Sequence, residues 1–167
     1  MTEHTKPKRI ILGIDPGSRI TGYGVIAMEG GNTYYLTSGC IRLISANWLE
    51  KCHTLYTSLQ QIIETYHPTE AAIERVFMHV NPASALKLGQ ARGAAITALA
   101  HHELLFAEYT AREVKQAVVG YGAAKKNQVQ QMVQALLSLS GLPQTDAGDA
   151  LAIALCHSHT LGKGFVE

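Results

Sequence analysis

Arg9-Ile10-Ile11-Leu12-Gly13-Ile14, followed at once by Asp15-Pro16-Gly17-Ser18, is the stretch on which the fold turns. The first six residues are short, apolar and rich in β-branched side chains, the pattern of a buried strand over 9–14. Asp-Pro-Gly-Ser then breaks the run with turn chemistry. An acid therefore stands at the carboxyl end of a buried strand. Upstream, residues 1–8 read as a polar, basic leader without fixed structure, and they lack the apolar core of a secretory signal. Downstream, 23–28 and 34–43 read as two further strands. Glu29-Gly30-Gly31-Asn32 between them is a hairpin signal, so the first three strands form an antiparallel meander.

The rest of the chain alternates. Leu49, Cys52, Leu55, Tyr56, Leu59, Ile62, Ile63 and Tyr66 recur at helical spacing, which predicts a helix over 48–66 with Pro68 beyond its end. A strand is expected over 70–76, an Ala/Gly-rich helix over 83–101 and a fifth strand over 104–109. Helices follow over 111–119, 128–139 and from about Thr145 through 161. The order is β-β-β-α-β-α-β-α-α-α. The last two strands alternate with helices and must cross over in parallel. The expectation is an α/β chain: a mixed five-stranded sheet, three strands antiparallel and two parallel, flanked by helices, the layout of the ribonuclease H-like fold. One domain spans 9–161, with a short tail over 162–167.

The 167 residues are 47% hydrophobic and 16% charged, a compact globular composition. The formal net charge of +1 excludes a uniformly basic coat, though not a basic patch. No run reaches the length of a membrane span. Cys40, Cys52 and Cys156 are scattered without ligand spacing and read as reduced, mostly packed thiols of a cytoplasmic protein. Charge is uneven along the chain. Between Tyr109 and Lys126 stand Arg112, Lys115, Lys125 and Lys126 against Glu113 alone, whereas from Asn127 onward acids outnumber bases. An anionic substrate on a metal-binding centre would want that arrangement, and chance unevenness would also give it.

The three aspartates are Asp15, Asp146 and Asp149. Asp15 ends the first strand. Glu74, in Ala72-Ile73-Glu74-Arg75-Val76, stands inside or at the end of the fourth, where an ionised carboxylate is costly without compensation. Asp146 and Asp149 share one face near a helix start, where they repel. Each aspartate has an ordinary explanation as a turn residue or a helix N-terminal charge. Four carboxylates from two strand ends and one helix, however, fit a hard-cation site for Mg²⁺ or Mn²⁺. Two such ions can activate water and stabilise a leaving oxygen in phosphodiester hydrolysis.

Gly13-Ile14-Asp15-Pro16-Gly17-Ser18, Thr21-Gly22-Tyr23-Gly24, Ala72-Ile73-Glu74-Arg75-Val76-Phe77, the run from Ser84 to Gly93 and Asp146-Ala147-Gly148-Asp149-Ala150 stand in one order along the chain. That ordered set, from about Ile10 to His159, resembles the bacterial RuvC-type Holliday junction resolvases. The resemblance implies a homodimeric, Mg²⁺-dependent endonuclease, with Mn²⁺ able to substitute, that nicks four-way DNA junctions symmetrically in recombination and repair. It implies Asp15, Glu74, Asp146 and Asp149 as catalytic, metal-binding carboxylates. It places Phe77 as an aromatic stacking near the junction centre, and Lys115 and Lys126 near the scissile phosphates, with Lys125 competing with Lys126 for that place. It also implies work beside a branch-migration helicase of the RuvA and RuvB type. The small residues Ala85, Gly89, Gly93 and Ala94 suit either a dimer seam or a helix packed closely on the sheet. His157 and His159, two apart, read as packing or surface residues rather than a metal pair.

Two other classes compete. Actin-like ATPases and sugar kinases also open on a strand and Gly-x-Asp-x-Gly, but they need a second such domain, which 167 residues do not hold. The alternative is a non-catalytic branched-DNA-binding module. It gives four separated acids no reason to converge on a polyanion that they would repel.

Overall fold

The computed structural model describes residues 8–76 and 81–160. Three strands open the chain: β1 (Arg9–Asp15), β2 (Ile20–Glu29) and β3 (Asn32–Arg42). Helix α1 (Trp48–Tyr66), strand β4 (Glu70–Glu74), helix α2 (Pro82–His101) and strand β5 (Phe106–Tyr109) follow. Three helices close it: α3 (Ala111–Val119), α4 (Lys126–Leu136) and α5 (Thr145–His159). The sheet order is β3-β2-β1-β4-β5. The first three strands pair antiparallel, and β4 and β5 pair parallel beside β1. The expected mixed sheet and element order are what the chain forms.

Strand alternation splits the core in two. Leu12, Ile14, Ala71 and Ile73 face α1 and α2 and pack with Leu55, Leu59, Ala95 and Leu99. Ile11, Ala72, Ala107 and Tyr109 face the other way, onto α3, α4 and α5. The same period sends the last residues of β1 and β4, Asp15 and Glu74, to the α5 side.

Some boundaries differ from the sequence reading. Strand β2 begins at Ile20 rather than 23, since Ile20, Thr21 and Gly22 stand in the ladder with β3. Gly22 and Gly24 have no side chain because α5 lies directly on them: a Cβ on Gly22 would run into the Asp146 carbonyl, and one on Gly24 would stand 2.6 Å from Leu151 Cδ2. Strand β4 ends at Glu74, not 76. Its parallel ladders with β1 and β5 stop at Ile14 and Tyr109, so Arg75 is outside the strand and keeps one backbone bond, to the Tyr109 carbonyl at 2.7 Å. Helix α4 starts at Lys126 and ends at Leu136, two residues before Ser138 takes a positive φ of 52°. Helix α5 ends at His159, and Leu161 lies outside the described residues. Among the described residues no helix is long and apolar enough to cross a membrane.

Candidate active site

The site begins with a close packing. Helix α5 runs antiparallel to β1 and crosses it through Gly13, where a Cβ would collide with the Ala150 carbonyl and stand 2.9 Å from the Ala154 nitrogen. Gly13, Gly22 and Gly24 thus make a side-chain-free bed. Ala147, Ala150 and Ala154 on α5 answer it with small residues of their own. The helix start is pressed onto the carboxyl end of β1, which brings Asp146 and Asp149 over Asp15. Glu74 arrives from the neighbouring strand, since Ile14 pairs with Ile73. The turn after Asp15 is held by Thr21, fully buried, whose hydroxyl meets both the Gly17 amide and the Gly17 carbonyl at 3.3 Å.

The four acids sense one another. Burial, first, and then the charges of Glu74, Asp149 and Asp146 push the Asp15 carboxyl up to about 8, against a smaller pull from Lys126. Burial and Asp149 also push Glu74 up, while a hydrogen bond from Asp15 and the nearby Lys126 and Lys115 hold it back. Asp15 and Glu74 share a hydrogen bond, and burial with like charge raises both carboxyls. Four acids packed at a single sheet end are a site short of positive charge.

Part of that shortfall is met from α4. Lys126 Nζ lies 2.9 Å from Asp149 Oδ2, and that hydrogen bond raises its own pKa. Gln130 Nε2 donates to Asp149 Oδ1 at 2.9 Å. Glu74, Lys115, Lys126 and Asp149 line one open cleft of about 280 Å³, floored by Val114, Val129 and Ile153. Lys125 does not line it. It caps α4, with its backbone amide bonded to Gln128 at 2.8 Å and its side chain exposed. Of the two adjacent lysines, Lys126 turns into the site. Phe77 lies outside the described residues. Gln130 has no counterpart in the sequence reading. Its one signal there is a polar residue four positions from Lys126, beside the apolar Val129 and Val133.

The residues fit a divalent cation by donor chemistry. All four donors are carboxylate oxygens, they are partly desolvated, and their mutual repulsion is what a cation relieves. Among the described residues no three acid, histidine or cysteine side chains already close on one point as a finished cage. Asp149 is instead tied to Lys126 and Gln130. His157 is buried at the far end of α5 and His159 is exposed there, so neither joins the centre. Cys40 and Cys52 are half-buried and Cys156 is buried.

Residues 11–157 match the family described as Crossover junction endodeoxyribonuclease RuvC. The chain is 59% identical over 150 residues to the protein of that name from Janthinobacterium sp. (strain Marseille), covering 90% of this chain and 83% of the relative. Its counterpart from Marinobacter nauticus is 63% identical over 150 residues, with 90% and 86% covered. Among solved structures, Thermus thermophilus RuvC in complex with Holliday junction substrate superposes with a TM-score of 0.85 at 30% identity, over 90% of this chain and 93% of that one.

Proposed function

The chain belongs to the RuvC family of crossover junction endodeoxyribonucleases, and on that premise we propose that it resolves four-way DNA junctions by hydrolysing phosphodiesters at the carboxylate centre. The observation that carries this reading is the crowding of Asp15, Glu74, Asp146 and Asp149 at one sheet end, with Lys115 and Lys126 on the rim of the same cleft. Such a cluster repels DNA unless cations are held there. Asp15, Glu74, Asp146 and Asp149 are the residues that would hold them, and Mg²⁺ suits an all-carboxylate set, with Mn²⁺ a substitute. Bound in pairs, these ions supply an activated water and stabilise the leaving oxygen.

The chain's own residues do the rest. Lys115 and Lys126 face the cleft and would neutralise the phosphate and the charge that grows on it in the transition state. The glycine bed beneath α5 keeps Asp146 and Asp149 from drifting off Asp15. Lys125, exposed next to Lys126, would meet a neighbouring phosphate. Phe77, three positions after Glu74 in the sequence and outside the described residues, keeps its proposed role of stacking on an unpaired base. Water oxygen bonds to phosphorus as the P–O3′ bond breaks and O3′ leaves as a hydroxyl, taking up a proton, so the nick keeps a 3′-hydroxyl and a 5′-phosphate that can be religated.

Symmetric cutting of two strands calls for two centres, hence a homodimer. Helix α2 supports it. Ala91, Ala95 and Ala98 pack inward, whereas Gly89 and Gly93 open onto empty space and Leu86 is 65% exposed. Work beside a branch-migration helicase of the RuvA and RuvB type, in the cytoplasm, and a single nuclease domain over 9–161 complete the proposal.

The test is a synthetic mobile four-way junction incubated with Mg²⁺, beside linear duplex and an Asp15→Asn control, with strand lengths read on a denaturing gel. Paired nicks in the junction alone, absent from the control, are expected. Tight binding with no nicks in Mg²⁺ or Mn²⁺ would instead leave a branched-DNA-binding module.

A further inference from the structure

Gln130 is 8% exposed, one of four buried polar side chains among the described residues with Thr21, His157 and Ser158. Its amide lies flat against Gly148, where any Cβ would strike Oε1 and stand 2.6 Å from Cδ. A glycine on α5 is therefore what admits this glutamine. Its Nε2 donates to Asp149 Oδ1 at 2.9 Å and, more loosely, to the Thr145 carbonyl at 3.3 Å. Its Oε1 is buried with no hydrogen-bond partner among the described residues. The reverse orientation would set Oε1 against two acceptors, so the network fixes the amide this way round. An apolar residue of the same length would avoid the orphaned oxygen. The end that is satisfied is the one aimed at Asp149.

Lys126 and Gln130 stand four apart on α4 and so share a face. Together they occupy both oxygens of Asp149. Their chemistry differs. The Lys126 ammonium is a charge and competes with any cation for the oxygen it holds. The Gln130 amide is neutral and fixes the direction of the carboxylate without competing for charge. We infer that Gln130 is a positioning residue of the carboxylate centre: its amide, seated on Gly148, aims Asp149 at the cation-binding position. The inference rests on the proposed carboxylate site. A hydrogen bond from a neighbouring residue that orients a ligating side chain commonly changes cation affinity by 10–100-fold when lost.

Gln130→Met keeps the length and loses the donor, whereas Gln130→Ala loses both. Two readouts decide: the Mn²⁺-induced rise in melting temperature without DNA, and the Mg²⁺ concentration giving half-maximal junction cleavage. Positioning predicts that both variants need about tenfold more cation and show a smaller Mn²⁺ shift, with cation-free junction binding unchanged. A packing role predicts that Gln130→Met matches the parent in both readouts, which would overturn the inference. If the Met variant does not fold, Gln130→Asn, with its amide one carbon short of Asp149, carries the same comparison. A parent protein with no Mn²⁺ response overturns both the site and Gln130. A normal parent response with unchanged variants overturns Gln130 alone.

Discussion

Helix α5 joins two clusters of charge that behave in opposite ways. At its start, Asp146 and Asp149 crowd Asp15 and Glu74, and burial with mutual repulsion drives the Asp15 carboxyl up to about 8. At its end, His157 is buried between Tyr109 and Glu70, with hydrogen bonds of 2.7 Å to each. Arg9 closes that chain with a two-pronged grip on Glu70, Nη2 to Oε2 at 2.9 Å and Nε to Oε1. The imidazole joins the other members, its Nε2 facing the Glu70 carboxylate and its Nδ1 the Tyr109 hydroxyl. Here the carboxylate falls below its ordinary value, first because of the Arg9 hydrogen bond, and burial pushes the Tyr109 hydroxyl up to about 12. The far cluster is complete within the protein and serves structure. The near one is left short of positive charge, which a site for cations and a polyanion requires and a structural cluster would avoid.

That contrast can be broken by substitution. The largest effect belongs to Asp15→Asn. Cleavage of a four-way junction should fall by about 10³-fold or more, since cation-assisted stabilisation is worth several kcal/mol. The cation-free protein should become more stable, by a few degrees in Tm, because a crowded acid is removed. A loss of Tm in differential scanning calorimetry would place Asp15 with the self-compensated kind of cluster instead.

Next comes Gly22→Ala. The new methyl would collide with the Asp146 carbonyl backbone, which cannot move without lifting the start of α5. Urea denaturation should show a loss of about 3 kcal/mol. Cleavage should fall further than that stability loss explains, because Asp146 and Asp149 leave Asp15 together.

His157→Ala should act on stability alone. Removing the imidazole leaves a buried Tyr109 hydroxyl and one Glu70 oxygen without that partner and opens a cavity, at a cost of about 2–4 kcal/mol. The cleavage rate per folded molecule should match the parent. A changed rate would mean that the two ends of α5 are coupled.

The smallest effect is a pH dependence. Glu70 has its folded pKa depressed below the ordinary 4.5. The unfolded chain therefore binds the proton more readily. The stability Glu70 contributes is fully present above about 4.5 and is lost as pH falls through the lower folded value. Thermal melts from pH 6 down to pH 3 should steepen in that window, and Glu70→Gln should flatten the slope.

Much of this was legible in the chain. The apolar runs RIILGID and EAAIE already mark two buried strands that each end in an acid, and the i, i+3 spacing pairs Asp146 with Asp149. Helix α1 falls on the residues its periodicity marks. Other features were hidden because their signals belong to two elements at once. Gly22 lies outside the strand expected from the sequence until it is seen paired in the ladder with α5 lying on it. His157 reads as a surface or packing residue until Tyr109 and Glu70, 48 and 87 positions away, are found on either side of it.

By itself, then, the sequence determined the element order, the two-faced sheet and the four acids, because strand and helix periods are local properties. Which of Lys125 and Lys126 enters the cleft, what holds Asp149, and which charges are compensated were decided by the tertiary structure. Each depends on contacts between elements far apart in the chain, as where Gly148 on α5 makes room for Gln130 of α4 beside Asp149, and local pattern carries no record of such contacts.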